Sequence, residues 1–224
     1  MESQTNSIIQ FPTKQKTKTK QHRFQKGFKY FNEDQIKLIR RTVREQAQLA
    51  IINKKISPIR EWAVLDLLTS TGIRVSEAAN LRISDIQTQY SKCSIYIRDG
   101  KGGYPRTIQI PANLRKHLKQ FLRWKKEMQE PLNDNDFVFI GQRGAWKACA
   151  IQQIVKKYLR QLNLYENGKS VHALRHSYAV QLYRQSKDIR AVQKQLGHAS
   201  IQTTQIYADV LDEDIQDQIK NLWN

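Results

Sequence analysis

The chain has 224 residues, with 38 Lys and Arg against 20 Asp and Glu, a formal net charge of +18 and a pI near 10.0. That length holds one domain with a real core plus a tail or small appendage, and the charge calls for a polyanionic partner, nucleic acid first and an anionic membrane surface second. No apolar run approaches the roughly 18 residues of a membrane span, the N-terminus has no hydrophobic signal core, and Cys93 and Cys149 sit in no C-x-x-C or Cys/His cluster. A membrane protein, an exported protein, a disulfide scaffold and a zinc site are therefore disfavoured. The expectation is a cytoplasmic protein working at the nucleoid, with two ordinary packed thiols.

Residues 1–30 carry Lys14, Lys16, Lys18, Lys20, Arg23, Lys26 and Lys29 against the single acid Glu2. They read as a flexible basic arm, either a solvated tail or a DNA-contacting one. Asn32 is an N-cap signal for a helix in which Ile36, Ile39, Val43, Ala47 and Ala50 recur at helical spacing. A second helix opens at Ser57-Pro58 and runs to the break at Thr71-Gly72, with an apolar content that predicts burial. From Cys93 two β-branched runs, SIYIRD and YPRTIQIP, flank a glycine-rich turn and predict a β-hairpin with Lys101 at its tip. Helical spacing returns in ANLRKHLKQFLRWKKEM, a short strand-like DFVFI follows, IQQIVKKYLRQL is helical again, and helices dominate from Ser170 to the end. The fold class is mainly α with a small antiparallel sheet.

Taken singly, Arg74 after a glycine turn, Lys101 at a hairpin tip and His198 after Gly197 each have a structural explanation. Taken jointly they do not. The segments T-G-I-R-V-S-E (71–77), G-K-G-G-Y-P-R (100–106), H-A-L-R-H-S (172–177), L-G-H-A-S (196–200) and a tyrosine nine residues past the last histidine, T-T-Q-I-Y-A (203–208), occur in one order at set intervals. In these motifs the chain resembles the tyrosine recombinases of the phage-integrase family, over residues from about 32 to the C-terminus. Tyr104 departs from the pattern, since many relatives carry a second basic residue there.

The resemblance implies a catalytic domain over residues 31–224 that cleaves and rejoins DNA through a phosphotyrosyl bond, and the chemistry explains the residue types. Transesterification at a phosphodiester passes through a phosphorane-like state whose equatorial oxygens carry extra negative charge, which fixed donors must meet. Arg74 and Arg175 suit this, because a guanidinium stays charged and offers a fork matched to two phosphate oxygens. Tyr207 is the implied nucleophile and His172 its implied proton acceptor. Lys101 would protonate the leaving 5′ oxygen, and His198 would add a hydrogen bond to the phosphate. The arginines supply the charge that metal ions provide elsewhere, so no metal or cofactor is expected.

Weaker candidates flank this set. Glu77 either orients Arg74 or is a first-turn helix acid, the latter favoured. His176 reads as a hydrogen-bonded core histidine. Lys147, Lys156 and Lys157 flank or lie on one helix and either contact DNA phosphates or form a solvated face. The layout is similar to that of the short fimbrial invertases, with no separate core-binding domain expected. Segment 209–224, with Asp212 as an N-cap and an apolar stripe of Ile215, Ile219, Leu222 and Trp223, is expected to form a helix docking onto a neighbour. The implied partners are double-stranded DNA, three further copies in a synaptic homotetramer and accessory DNA-bending proteins. Two rivals remain, a non-enzymatic DNA-binding or directionality factor and a strand-relaxing topoisomerase of the same chemistry.

Overall fold

In the computed structural model, which describes residues 29–53, 55–89, 92–100 and 104–208, the first helix starts where Asn32 predicts it. Helix α1 spans Glu33–Ile52. Asn32 Oδ1 accepts the Gln35 N–H at 2.9 Å and Gln35 Oε1 accepts the Asn32 N–H at 3.1 Å, so a reciprocal cap satisfies two amides the helix leaves unpaired. Its stripe of Ile39, Val43, Ala47 and Ala50 is buried against α2, which spans Ser57–Thr71 with Pro58 in its first turn.

Every residue of α2 from Glu61 to Thr71 is buried. A helix hidden on all sides needs neighbours all round, and α1, α4 (Ala112–Glu127), α5 (Ala148–Gln161) and α6 (Val171–Ser186) supply them. The two carboxylates that α2 carries inward would be costly alone, and each is paired. Asp66 meets Arg40 and His117, each at 2.8 Å, and Glu61 meets the Tyr158 hydroxyl at 2.8 Å and Lys157 at 2.6 Å.

The predicted hairpin forms from β2 (Lys92–Ile97) and β3 (Arg106–Gln109), with Ile95 opposite Ile108 and both fully buried. Its tip, including Lys101, lies outside the described residues, as do segments 1–28 and 209–224. A third strand, β1 (Ile86–Gln89), pairs antiparallel with β2 to give the order β1-β2-β3. Helix α3 (Val75–Ala79) and a 3-10 turn at Ile83–Asp85 lead into that sheet. The fold class is thus mainly α with small antiparallel sheets.

Two expectations need correction. The DFVFI run is mostly irregular. Only Ile140 joins a strand, β4 (Ile140–Gly141), paired with β5 (Gly144–Ala145), while Val138 N–H bonds the Leu81 carbonyl at 2.9 Å and Phe137 bridges to Arg82. Cys149 is exposed and Cys93 only half-buried, so the packed-thiol reading fails for Cys149. It precedes the buried Ile151 by two residues on α5, and about 200° of helical rotation turns it outward.

Helix α7 (Ile189–Leu196) starts at Asp188, whose side chain accepts the Arg190 and Ala191 N–H groups, and ends at Gly197. Residues 202–208 are helical and carry Tyr207. Among the described residues no helix is long and apolar enough to cross a membrane.

Candidate active site

Two left-handed glycine turns build the site. Helix α2 stops at Gly72, with φ 62°, a conformation that L side chains resist. The turn points the Gly72 carbonyl at Arg175 Nη1, 2.7 Å away, and delivers Arg74 to the start of α3. Helix α7 stops at Gly197, with φ 66°, and offers two successive carbonyls. Leu196 O accepts Arg175 Nη2 at 2.8 Å, and Gly197 O accepts Arg74 Nη2 at 3.3 Å. Two arginines 101 positions apart in sequence are thereby registered on one turn.

Glu77 is the counter-ion that Arg74 shares with Arg106. It sits three residues into α3, only 5 % exposed, and its oxygens accept the Arg74 N–H and Arg74 Nη1, each at 2.8 Å. The same carboxylate takes Arg106 as a fork, Nη1 at 2.8 Å and Nη2 at 2.9 Å. Glu77 therefore orients Arg74, the reading the sequence placed second. Burial pushes the Glu77 carboxyl up, but the bonds and charges of Arg106 and Arg74 outweigh it and hold it below the usual range.

Arg175 is 6 % exposed. Burial, then the charge of Arg74, pulls its guanidinium down to about 10, so it remains cationic at neutral pH. Three guanidiniums cluster here around one carboxylate that pairs with two of them, so the site carries positive charge in excess.

Tyr207 lies within this field, 1 % exposed, its ring stacked on His198 with centroids 6.1 Å apart. Burial raises its phenol to about 12, while Arg175 and Arg74 pull the other way. Its hydroxyl is 3.0 Å from His176 Nδ1. His198 Nδ1 is 3.0 Å from the Thr204 hydroxyl. Burial first, and neighbouring positive charge second, lower both His176 and His198 to about 4.

Of the six residues singled out from sequence, Arg74, Arg175, His198 and Tyr207 come together. His172 is at the exposed start of α6, one turn before His176, and Lys101 is outside the described residues. Lys147 is exposed at the start of α5, Lys156 is half-buried, and Lys157 is tied to Glu61. Arg106, the last residue of the G-K-G-G-Y-P-R motif, and His176 join the cluster although neither is among those six. Beside the cluster an open pocket of about 420 Å³ is lined by Tyr104, Arg106, Arg190, Lys194 and His198 among others, adding two exposed cations.

This architecture is the fold of tyrosine recombinase catalytic domains. The crystal structure of XerA recombinase superposes with a TM-score of 0.68 at 28 % identity, covering 87 % of this chain and 65 % of that one. The XerH site-specific recombinase, bound to difH substrate in a pre-cleavage complex, gives 0.65 at 25 % identity, covering 87 % and 53 %. Residues 29–214 match the model of the phage integrase family, and the chain belongs to that family. Its relatives include the tyrosine recombinase XerA of Pyrococcus furiosus, 36 % identical over 166 residues, or 72 % of this chain and 54 % of the relative. The tyrosine recombinase XerC of Caldanaerobacter subterraneus subsp. tengcongensis is 34 % identical over 162 residues, covering 71 % and 44 %. The chain spans about half the length of these curated relatives.

Proposed function

We propose that the chain is a site-specific DNA recombinase that cleaves and rejoins strands through a 3′-phosphotyrosyl bond at Tyr207. The observation that carries this reading is the registration of Arg74 and Arg175 on the Leu196–Gly197 turn around a buried tyrosine. Their guanidiniums meet the charge that builds on the equatorial phosphate oxygens, in a site where fixed donors need no reorganisation. Tyr207 Oη attacks phosphorus, the 5′ oxygen leaves with a proton from Lys101, the phenolic proton passes to His172, and His198 bonds the phosphate. The bond energy of the cut strand is kept in the phosphotyrosine, so a partner 5′ hydroxyl can reseal it without ATP. Arg190 and Lys194, flanking the site, suit neighbouring backbone phosphates.

In this reading the chain works in the cytoplasm on double-stranded DNA as a synaptic homotetramer, with segment 209–224 passed to the next copy and accessory proteins bending the DNA. Its outcome is integration, excision or inversion of a segment. The test starts by selecting bound duplexes from a random pool, then building supercoiled plasmids with two copies of the selected site or none. Site-dependent deletion or inversion, with the site-free plasmid left supercoiled, is the expected result. Efficient relaxation of the site-free plasmid identifies a topoisomerase instead, and binding without any strand passage identifies a DNA-binding factor.

A further inference from the structure

From the contact between His176 and Tyr207, we infer that His176 is a catalytic residue that donates its Nδ1–H to Tyr207 Oη, fixing the nucleophile and stabilising the phenolate without taking its proton. This rests on the reading of Tyr207 as the nucleophile. The Nδ1–Oη separation is 3.0 Å, with the rings tilted by 50° and their centroids 5.8 Å apart. His198 stacks on the same phenol. Tyr207 thus meets two imidazoles, of which His176 is bonded to its oxygen while His198 Nδ1 meets the Thr204 hydroxyl.

The backbone explains why His176 can do this. It follows Arg175 on α6, so one helix segment sends a guanidinium to the Leu196 carbonyl and an imidazole to the phenol. The oxygen that attacks and the cation that receives the phosphate are registered by adjacent residues, which fixes their relative position more tightly than two separate loops could.

The direction of the bond follows from charge. A bare Nδ1 would take the phenolic proton during attack and become an imidazolium in a half-buried position beside His172, Arg175 and His198. Burial and these neighbours oppose that state. An Nδ1–H requires no charge on the ring at any stage, and its bond strengthens as the oxygen becomes anionic. In the balanced step the Oη–P bond forms, the P–O5′ bond breaks with its electron pair on O5′, and Lys101 protonates that oxygen. The phenolic proton goes to the exposed His172.

Substitutions at position 176 separate donor from acceptor, because an Asn amide occupies nearly the place of Nδ1 and can donate, whereas Asp there only accepts. On a nicked suicide duplex carrying the selected site, single-turnover adduct formation by His176→Asn should stay within about tenfold of wild type. His176→Asp and His176→Leu should lose a factor of about 100 or more, the scale of one removed transition-state donor, with DNA affinity and melting temperature near those of wild type. Asp matching or exceeding Asn would overturn the donor role, and three variants all cleaving like wild type would leave His176 no role. Tyr207→Phe is run beside them. If it still forms the adduct, the nucleophile assignment fails, whereas its loss alongside indifferent His176 variants sinks this inference alone. Nitrogen-15 NMR of the wild-type protein covers the case of a variant that does not fold. A directly bonded proton on His176 Nδ1, with a resonance that moves in Tyr207→Phe, is expected, and a bare Nδ1 contradicts the proposal.

Discussion

Arg175 is a cation that the fold hides and then satisfies with backbone. Its two carbonyl partners, Gly72 and Leu196, fix the guanidinium without neutralising it, so its charge stays available to a phosphate. Arg74 and Arg106 share Glu77, which keeps three like charges from repelling unchecked while leaving an excess. The histidines in this field have a consequence for stability. His176 and His198 are lowered to about 4, whereas in the unfolded chain they titrate near 6.5. Between these values the unfolded state binds more protons, so unfolding free energy rises with pH across the window. The contribution is complete above about pH 6.5 and is lost as pH falls towards 4. Urea titrations from pH 7 down to pH 4.5 should show stability falling with acid, and the His176→Asn, His198→Asn double variant should show a shallower fall. An identical fall in both proteins contradicts the assignment of these groups.

At the scale of elements, the two glycine turns do the positioning, and they differ in what surrounds them. A Cβ at Gly72 would lie 2.5 Å from the Tyr178 ring, and one at Gly197 would lie 2.6 Å from Arg106 Nε. Both positions add a left-handed backbone penalty of about 1–2 kcal/mol for alanine. The Tyr178 ring is stiff and packed, so Gly72→Ala should cost about 2–4 kcal/mol in total. Arg106 can swing away instead, but only by leaving Glu77. Gly197→Ala should therefore cost less stability and more activity, reducing adduct formation about 10-fold or more as Arg74 loses its fixed orientation. Urea midpoints and single-turnover cleavage, measured on both variants, check this, and equal effects on both quantities would refute it.

The same elements show what could be read from the sequence. Asn32, Pro58, Gly72 and Gly197 mark helix starts and stops through local chemistry, and local chemistry survives folding. The β2–β3 hairpin was legible because two β-branched runs flank glycines. Strand β1 was not, since IQTQ is short and polar and pairs only because β2 lies beside it. In DFVFI the burial was legible but the partner was not. Its backbone bonds run to Leu81 and Ile83, a segment with no period of its own. Glu77 could be placed on a helix turn, but its grip on Arg106, 29 residues away, depends on the β2–β3 register. The partner of His176 was not legible for a similar reason, because nothing local says that a helical histidine will meet a tyrosine 31 residues on.

For the whole molecule, under the proposed function, the net charge of +18 would set long-range attraction to DNA, while the buried cluster would set what happens at one phosphate. These are separable, since surface lysines act through counterion release and the three arginines act through fixed geometry. The α-helical shell around α2 serves the second purpose. It holds α3, α6 and the end of α7 in one register, so Arg74, Arg175 and Tyr207 converge from three separate stretches of chain. The central claim is that this convergence makes Tyr207 the covalent carrier of the cut strand. The most direct measurement is mass spectrometry of the peptide that stays attached to DNA after a suicide duplex is cleaved and the complex digested. The account predicts a single modified residue, Tyr207, joined through phosphate to the 3′ end of the cleaved strand. Attachment at any other residue, or through a 5′ end, would contradict it.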